Sequence, residues 1–288
     1  MFGMLIVCYL FLGGCGAGLL FVSSIASVAF YASGRRTAFS TLVFANAKNR
    51  CTLMGLALLI ISALCLVGDL GRPERIIYLL LRPRWSVITF GAYALASLIF
   101  ACGAQAVLAV FDFSWAKGTL KRGLEIACAV LSLPVMVYTG VFLQSLDAVA
   151  LWATPLLPVL FTLSALSTGL AAFFVALSLA DRIDGIERIV ARLHLVHGAV
   201  LVVELMILAG FLTVASSDPD AAVSVGLLRD ELFWWLCVGV VGAGLVVPLA
   251  GEVLQIVRPR WGGLPLGDIL CLVGGFALRY CIVNAGAH

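Results

Sequence analysis

Eight apolar runs, eighteen to thirty residues long, dictate what this polypeptide folds into. They cover roughly 3–32, 51–68, 86–111, 123–146, 156–180, 189–215, 232–254 and 266–286. About 20 apolar residues suffice to cross roughly 30 Å of hydrocarbon as a helix. Lipid offers the backbone no hydrogen-bond partners, so an open strand is excluded and each run reads as helix. With 63% hydrophobic and 11% charged residues, the protein has less than half the charge of a soluble domain, which carries about 25%. The expected fold is all-α: one polytopic membrane domain, residues 1–288, with eight transmembrane helices as two four-helix bundles. The first run lacks a basic n-region and is too long and glycine-rich for a cleavable signal peptide.

The cysteines and histidines limit the redox chemistry. The nine cysteines contain no CxxC pair, and nearly all fall inside apolar runs. Iron–sulfur and zinc sites need thiolates at short spacing. The histidines are His194, His197 and His288. A bis-histidine haem needs ligands from opposing helices, whereas His194 and His197 share one. No haem, iron–sulfur cluster or metal site is expected.

Charge sets the orientation. An even number of spans returns both termini to one side. The loops after spans 1, 3, 5 and 7 hold twelve of the 18 lysines and arginines, against six on the other side. The positive-inside rule makes the first set cytoplasmic, so both termini face outward. The loop Asp69–Arg84 breaks the bias: it keeps Arg72, Arg75, Arg82 and Arg84 on the arginine-poor side, together with Asp69 and Glu74. Anchoring at the interface, with Trp85 beside Arg84, accounts for some of these arginines but not for the two carboxylates. Arg-Pro-Arg-Trp recurs at 82–85 and 258–261; falling on opposite faces, the two copies read as a shared helix-start signal.

Several polar side chains converge on the outer leaflet from different helices. They are Tyr9 on span 1, Asp69 at the end of span 2, Tyr138 on span 4, Ser164 and Ser167 on span 5, and Arg279 near the end of span 8. Pro134, four residues before Tyr138, can bend span 4. That bend could open a pocket beside the tyrosine, or be an ordinary transmembrane proline next to a belt tyrosine. Gly14 and Gly18 fit the small-xxx-small pattern of close helix packing. Glu204 lies near the middle of span 6, where an isolated charge costs a few kcal/mol or more. His194, His197 and Glu204 fall within about 80° of helix circumference. They form either a proton half-path or a set of helix–helix hydrogen bonds.

The motifs together resemble the NrfD/PsrC family, the membrane subunit of polysulfide-reductase-like molybdoenzymes. The resemblance rests on Tyr9-Leu10-Phe11-Leu12-Gly13-Gly14, Asp69-Leu70-Gly71-Arg72-Pro73 with Arg75, Tyr138-Thr139-Gly140-Val141 running on to Ser164-Ala165-Leu166-Ser167, and Gly274-Gly275-Phe276 with Leu278-Arg279-Tyr280. It covers nearly the whole sequence. It implies an anchor in a prokaryotic cytoplasmic membrane that exchanges electrons between the quinone pool, menaquinone or ubiquinone, and a ferredoxin-like four-cluster iron–sulfur subunit. That subunit is wired in turn to a molybdopterin catalytic subunit. By resemblance, Tyr138 hydrogen-bonds a quinone carbonyl, Asp69, Arg72, Glu74 and Tyr9 shape the pocket, and Arg75, Arg82 and Arg84 face the partner. Glu204, His197 and His194 are the proton-path candidates. Two other readings compete: an anchor without quinone chemistry, and a small-molecule or proton transporter, which predicts helices broken at mid-depth.

Overall fold

The computed structural model describes residues 3–32, 37–69, 86–111, 118–146, 149–179, 185–257 and 265–286. Among these, every regular element is helical and eight helices are long and apolar enough to cross a membrane. We label them α1 (Met4–Ala32), α2 (Ala38–Asp69), α3 (Val87–Val110), α4 (Gly118–Gln144), α5 (Leu156–Ser178), α6 (Glu187–Ser217), α7 (Trp235–Val257) and α8 (Leu266–Gly286). Within α7, Trp235–Val246 is π-helical and Val247–Val257 is α-helical.

Helix α2 begins thirteen residues before the apolar run that predicts it. Its polar first half stays helical because its charges find partners elsewhere. Lys48 pairs with Glu125 on α4, and Arg50 donates to the carbonyl of Leu179. Helix α3 opens on Ser86, whose hydroxyl caps the amide of Thr89 at 3.2 Å, satisfying one of the orphan donors at a helix start.

Consecutive helices among α1–α4 touch, and α4 returns to α1; α5–α8 repeat this pattern, with α8 returning to α5. The two sets meet mainly where α1 packs on α5 and α4 packs on α5. The α1–α5 crossing is close because it is made of glycine. Gly18 lies against the backbone of Ala165 and Gly169, and a β-carbon at either glycine would overlap main-chain atoms. The small residues of α1 thus act as packing surface, through dispersion between close backbones in a solvent that supplies no hydrophobic drive. Gly244 and Gly274 do the same between α7 and α8.

After α4, the 3-10 turn Ala150–Trp152 buries Trp152, whose indole N–H donates to the carbonyl of Ile282 at 3.0 Å. Its ring fills the space where Gly286 has no side chain. The end of α4 is thereby tied to the end of α8.

Candidate functional site

The end of the bundle where α1 begins and α2 finishes gathers three of the sequence-derived site residues. Asp69, in the last turn of α2, packs against Gly3, with its carboxylate 3.2 Å from where a β-carbon would stand. Six residues further into α1, about 9 Å along the axis, Tyr9 stands beside Tyr138 of α4. Both tyrosines are buried, at 3% and 5% exposure. The ring of Tyr138 lies flat against Gly91 of α3, in space that any β-carbon would take. Phe142, one turn along α4, stands 5.9 Å from it, centroid to centroid. Ser62 of α2 donates to the carbonyl of Tyr9 at 3.0 Å. Four helices therefore fix the pair of phenols: α1 and α4 carry them, α3 leaves room, and α2 pins the backbone. Arg72, Glu74, Arg75, Arg82 and Arg84 lie outside the described residues.

Arg279 faces the interior of the helix assembly. It is fully buried, opposite Gly14, between α1, α5 and α8. Its guanidinium donates to the carbonyls of Leu10 at 3.2 Å and Gly275 at 2.8 Å, and to the Ser164 hydroxyl at 3.1 Å. The rings of Phe11 and Phe161 lie 5.6 and 5.4 Å from it, within cation–π range. Ser164 and Ser167 accordingly belong to this interior cluster and not with Tyr138. Ser167 donates to the Glu204 carboxylate at 2.6 Å. The apolar composition of α8 hid the role of its one arginine; a lone charge one helical turn after Gly274-Gly275 was the available signal.

The histidine–glutamate stripe expected on α6 divides into two connected groups. Glu204 joins Ser167 and the Arg279 side. His194 and His197 turn instead to Glu252 of α7, at 2.7 and 2.6 Å from Nδ1. Asp268 of α8 approaches His197 to 3.9 Å. Between the groups stands Cys271, 3.8 Å from His197 Nε2 and close to Ser167. A polar thread therefore runs from His194, through Glu252, His197, Cys271, Ser167 and Glu204, towards Ser164 and Arg279. Its His194 end opens on a cavity of about 400 Å³ lined also by Glu252, Gln255 and Asp268. Sequence reading passed over Glu252 and Asp268 because they sit near the ends of apolar runs, where acids usually face water. His197, Glu252 and Asp268 bring ligand atoms within 4.8 Å of one another, which is the composition of a cation site; here Glu252 is engaged by both imidazoles.

A third buried group lies at the opposite end of α1–α4. Glu125 of α4 accepts from Ser27 of α1 at 2.8 Å and pairs with Lys48 of α2. Both partners are largely buried, and the sequence reading singled out neither.

Comparison with known proteins matches the whole chain, residues 1–288, to the family described as polysulphide reductase, NrfD. The chain belongs to the NrfD family. It is similar to the C subunit of polysulfide reductase from Wolinella succinogenes, with 30% identity over an alignment covering 98% of this chain and 92% of that one. It is similar also to protein NrfD of Escherichia coli, 31% identical over 58% of this chain, and to the Haemophilus influenzae NrfD homolog, 28% identical over 56%. These two matches span about half the length of each relative, 54% and 52%. The family is one of membrane subunits of reductase complexes, in keeping with a chain made almost wholly of spanning helices.

Proposed function

We propose that this chain is the membrane anchor and quinone-binding subunit of a multi-subunit molybdoenzyme, passing electrons between the quinone pool and an iron–sulfur partner. The observation that carries the reading is the Tyr9–Tyr138 pair, buried between α1 and α4 with Asp69 at the mouth. A quinone carbonyl needs a hydrogen-bond donor inside apolar walls, and a phenol supplies one. The residues fit that demand. Tyr138 has a donor, its ring is locked by Gly91, and its neighbours Phe142, Ala94, Leu95 and Val135 belong to one apolar cluster. Quinol oxidation releases two electrons and two protons. Tyr138 orients the reacting oxygen, Tyr9 packs beside it, and Asp69 receives protons at the aqueous end. The arginines of the following segment, Arg75, Arg82 and Arg84, are suited to an acidic partner face. Both termini and Asp69 are assigned to the outer side of a prokaryotic inner membrane from the basic-residue bias. The helix contacts support the expected grouping into two four-helix bundles, with the quinone in the first.

The test is purification through a tag on this chain. A ferredoxin-like and a molybdopterin subunit should come with it, together with menaquinone or ubiquinone. Tyr138→Phe keeps the ring and removes the donor. A hydrogen bond to a developing charge is worth about 1.5–3 kcal/mol, so reduction of partner clusters by a quinol analogue should fall about 10- to 100-fold. Unchanged rates in both Tyr138→Phe and Asp69→Asn overturn the assignment and leave an anchor without quinone chemistry.

A second reading concerns protons, and the His194-to-Glu204 thread favours it. We assign Glu204, His197 and His194 to a proton path in α5–α8 that does not touch the quinone oxygens. Glu204→Gln should then leave quinol turnover intact while reducing charge movement in liposomes holding the whole complex. Equal charge movement removes the path.

A further inference from the structure

At the end of α1–α4 remote from Tyr138, the helices part around a cavity of about 650 Å³. Its described lining includes Lys48, Lys121, Arg122, Glu125 and Gln105. Three cations face one carboxylate there, and that carboxylate is already taken by Lys48 and Ser27. Lys121 and Arg122 are thus left over in the local balance, and both are solvent-facing. The Arg122 guanidinium stands 5.9 Å over the Tyr31 ring, which holds it beside the cavity. Gly118 and Thr119, the first residues of α4, line the same space, and the first turn of that helix has no acidic residue. Free amides at a helix start add positive potential. Gln105, 9% exposed, has a carbonyl oxygen without a partner among the described residues. This is a cavity built for an anionic group that also carries a hydrogen-bond donor.

A second opening adjoins it on the lipid-facing side. A groove of about 700 Å³ runs between α2, α3 and α4, lined by Ile60, Phe100, Gly103 and other apolar residues. Leu108 and Leu124 line both spaces, so the two share a wall. The groove floor is low because Gly103 has no atom within 4 Å of its β-carbon position, and one wall is Phe100, 80% exposed. From Lys48 to Ile60 is twelve residues, about 18 Å of helix. One leaflet of hydrocarbon is about 15 Å. The charged cavity therefore sits at headgroup depth and the groove runs down the depth of one leaflet.

We infer that α2, α3 and α4 form a specific site for one anionic phospholipid, with its phosphate held by Lys121 and Arg122 and one acyl tail lying in the groove over Gly103. The match of charge to headgroup and of groove to tail selects this ligand over two others. A quinone offers no charge to the two cations, and free phosphate leaves the groove unfilled. Basic pockets between spanning helices are a general solution for holding such headgroups.

The experiment uses the intact complex, exchanged into mild detergent and washed, with retained lipid quantified by mass spectrometry. Two variants probe the two halves of the site: Lys121→Glu with Arg122→Glu, and Gly103→Leu, whose side chain enters open space and so leaves the fold intact. The parent complex should retain about one phosphatidylglycerol per complex, selected over phosphatidylethanolamine. It should also be stabilised thermally by phosphatidylglycerol micelles and not by inorganic phosphate. Each variant should lose at least about tenfold in retention, the first by reversing the charges that attract the headgroup and the second by filling the groove. Quinol-dependent reduction, at the other end of the helices, should be unchanged in Gly103→Leu. Equal retention in parent and variants overturns the inference, as does equal stabilisation by inorganic phosphate, which marks a free-anion site. Loss of quinone with the Gly103→Leu variant overturns it too, since the groove would then be a quinone path.

Discussion

Arg279 of the last helix donates to the backbone carbonyl of Leu10 in the first, 3.2 Å away and 269 residues earlier in the sequence. The same guanidinium reaches α5 through Ser164 and stands near Glu204 of α6. Four spanning helices are therefore locked around one side chain in an interior where nothing else can solvate it.

Arg279→Met should be strongly destabilising, because it removes the cation that faces Glu204 and the donors that tie Leu10, Gly275 and Ser164 together. Breaking a buried charged network by deleting one partner costs about 3–5 kcal/mol. Arg279→Lys keeps the charge but loses the planar fork, so its loss should be smaller and still measurable. Thermal unfolding in detergent, followed by size-exclusion profile, ranks the three proteins.

Lys48 and Glu125 allow a cleaner separation of charge from packing. Lys48→Met leaves Glu125 buried with only the Ser27 hydroxyl, and a cost of about 3 kcal/mol or more is expected. Lys48→Met combined with Glu125→Leu should recover most of that loss, since an apolar pair needs no compensation. A double-mutant cycle on unfolding midpoints gives the coupling directly.

Gly91 offers a steric handle on the tyrosine pair. A methyl group at Gly91 would occupy the Tyr138 ring position, so Gly91→Ala forces the phenol away from Tyr9. Quinol-dependent reduction should fall at least as far as in Tyr138→Phe, about tenfold or more. Gly123→Ala is the control on α4: nothing stands within 4 Å of its β-carbon position, and its rate should match the parent.

At the α1–α5 crossing, Gly169→Val should prevent proper assembly. Its side chain would overlap Gly18 and Leu19 main-chain atoms, and backbone cannot yield as a side-chain tip can. Overpacking typically costs about 1–3 kcal/mol and more where backbones touch. Yield of monodisperse protein and melting temperature should both drop, whereas Gly103→Ala changes neither.

The eight spans were legible because hydrocarbon imposes a length and a composition that a hydropathy pattern carries openly. The start of α2 was not, since Lys48 and Arg50 look like the end of a span until their partners on α4 and after α5 are known. Tyr9, Asp69 and Tyr138 were brought to one end by counting alternate spans, and the folded protein keeps them there. Counting could not separate Ser164, Ser167 and Arg279 from that group. Depth along a helix is readable from residue number, but the neighbour it faces is not. The same gap explains the histidines. Their common face on α6 was legible, yet Glu252 and Asp268 come from helices whose rotation no local pattern encodes.

The π-helical stretch Trp235–Val246 lies just upstream of Glu252. Its wider coil sets the angle at which the next segment leaves, and one residue more or less turns that segment by about 100°. A single deletion there would swing the carboxylate off both imidazoles without touching a polar atom. The number of residues between Trp235 and Glu252 therefore sets where this carboxylate points.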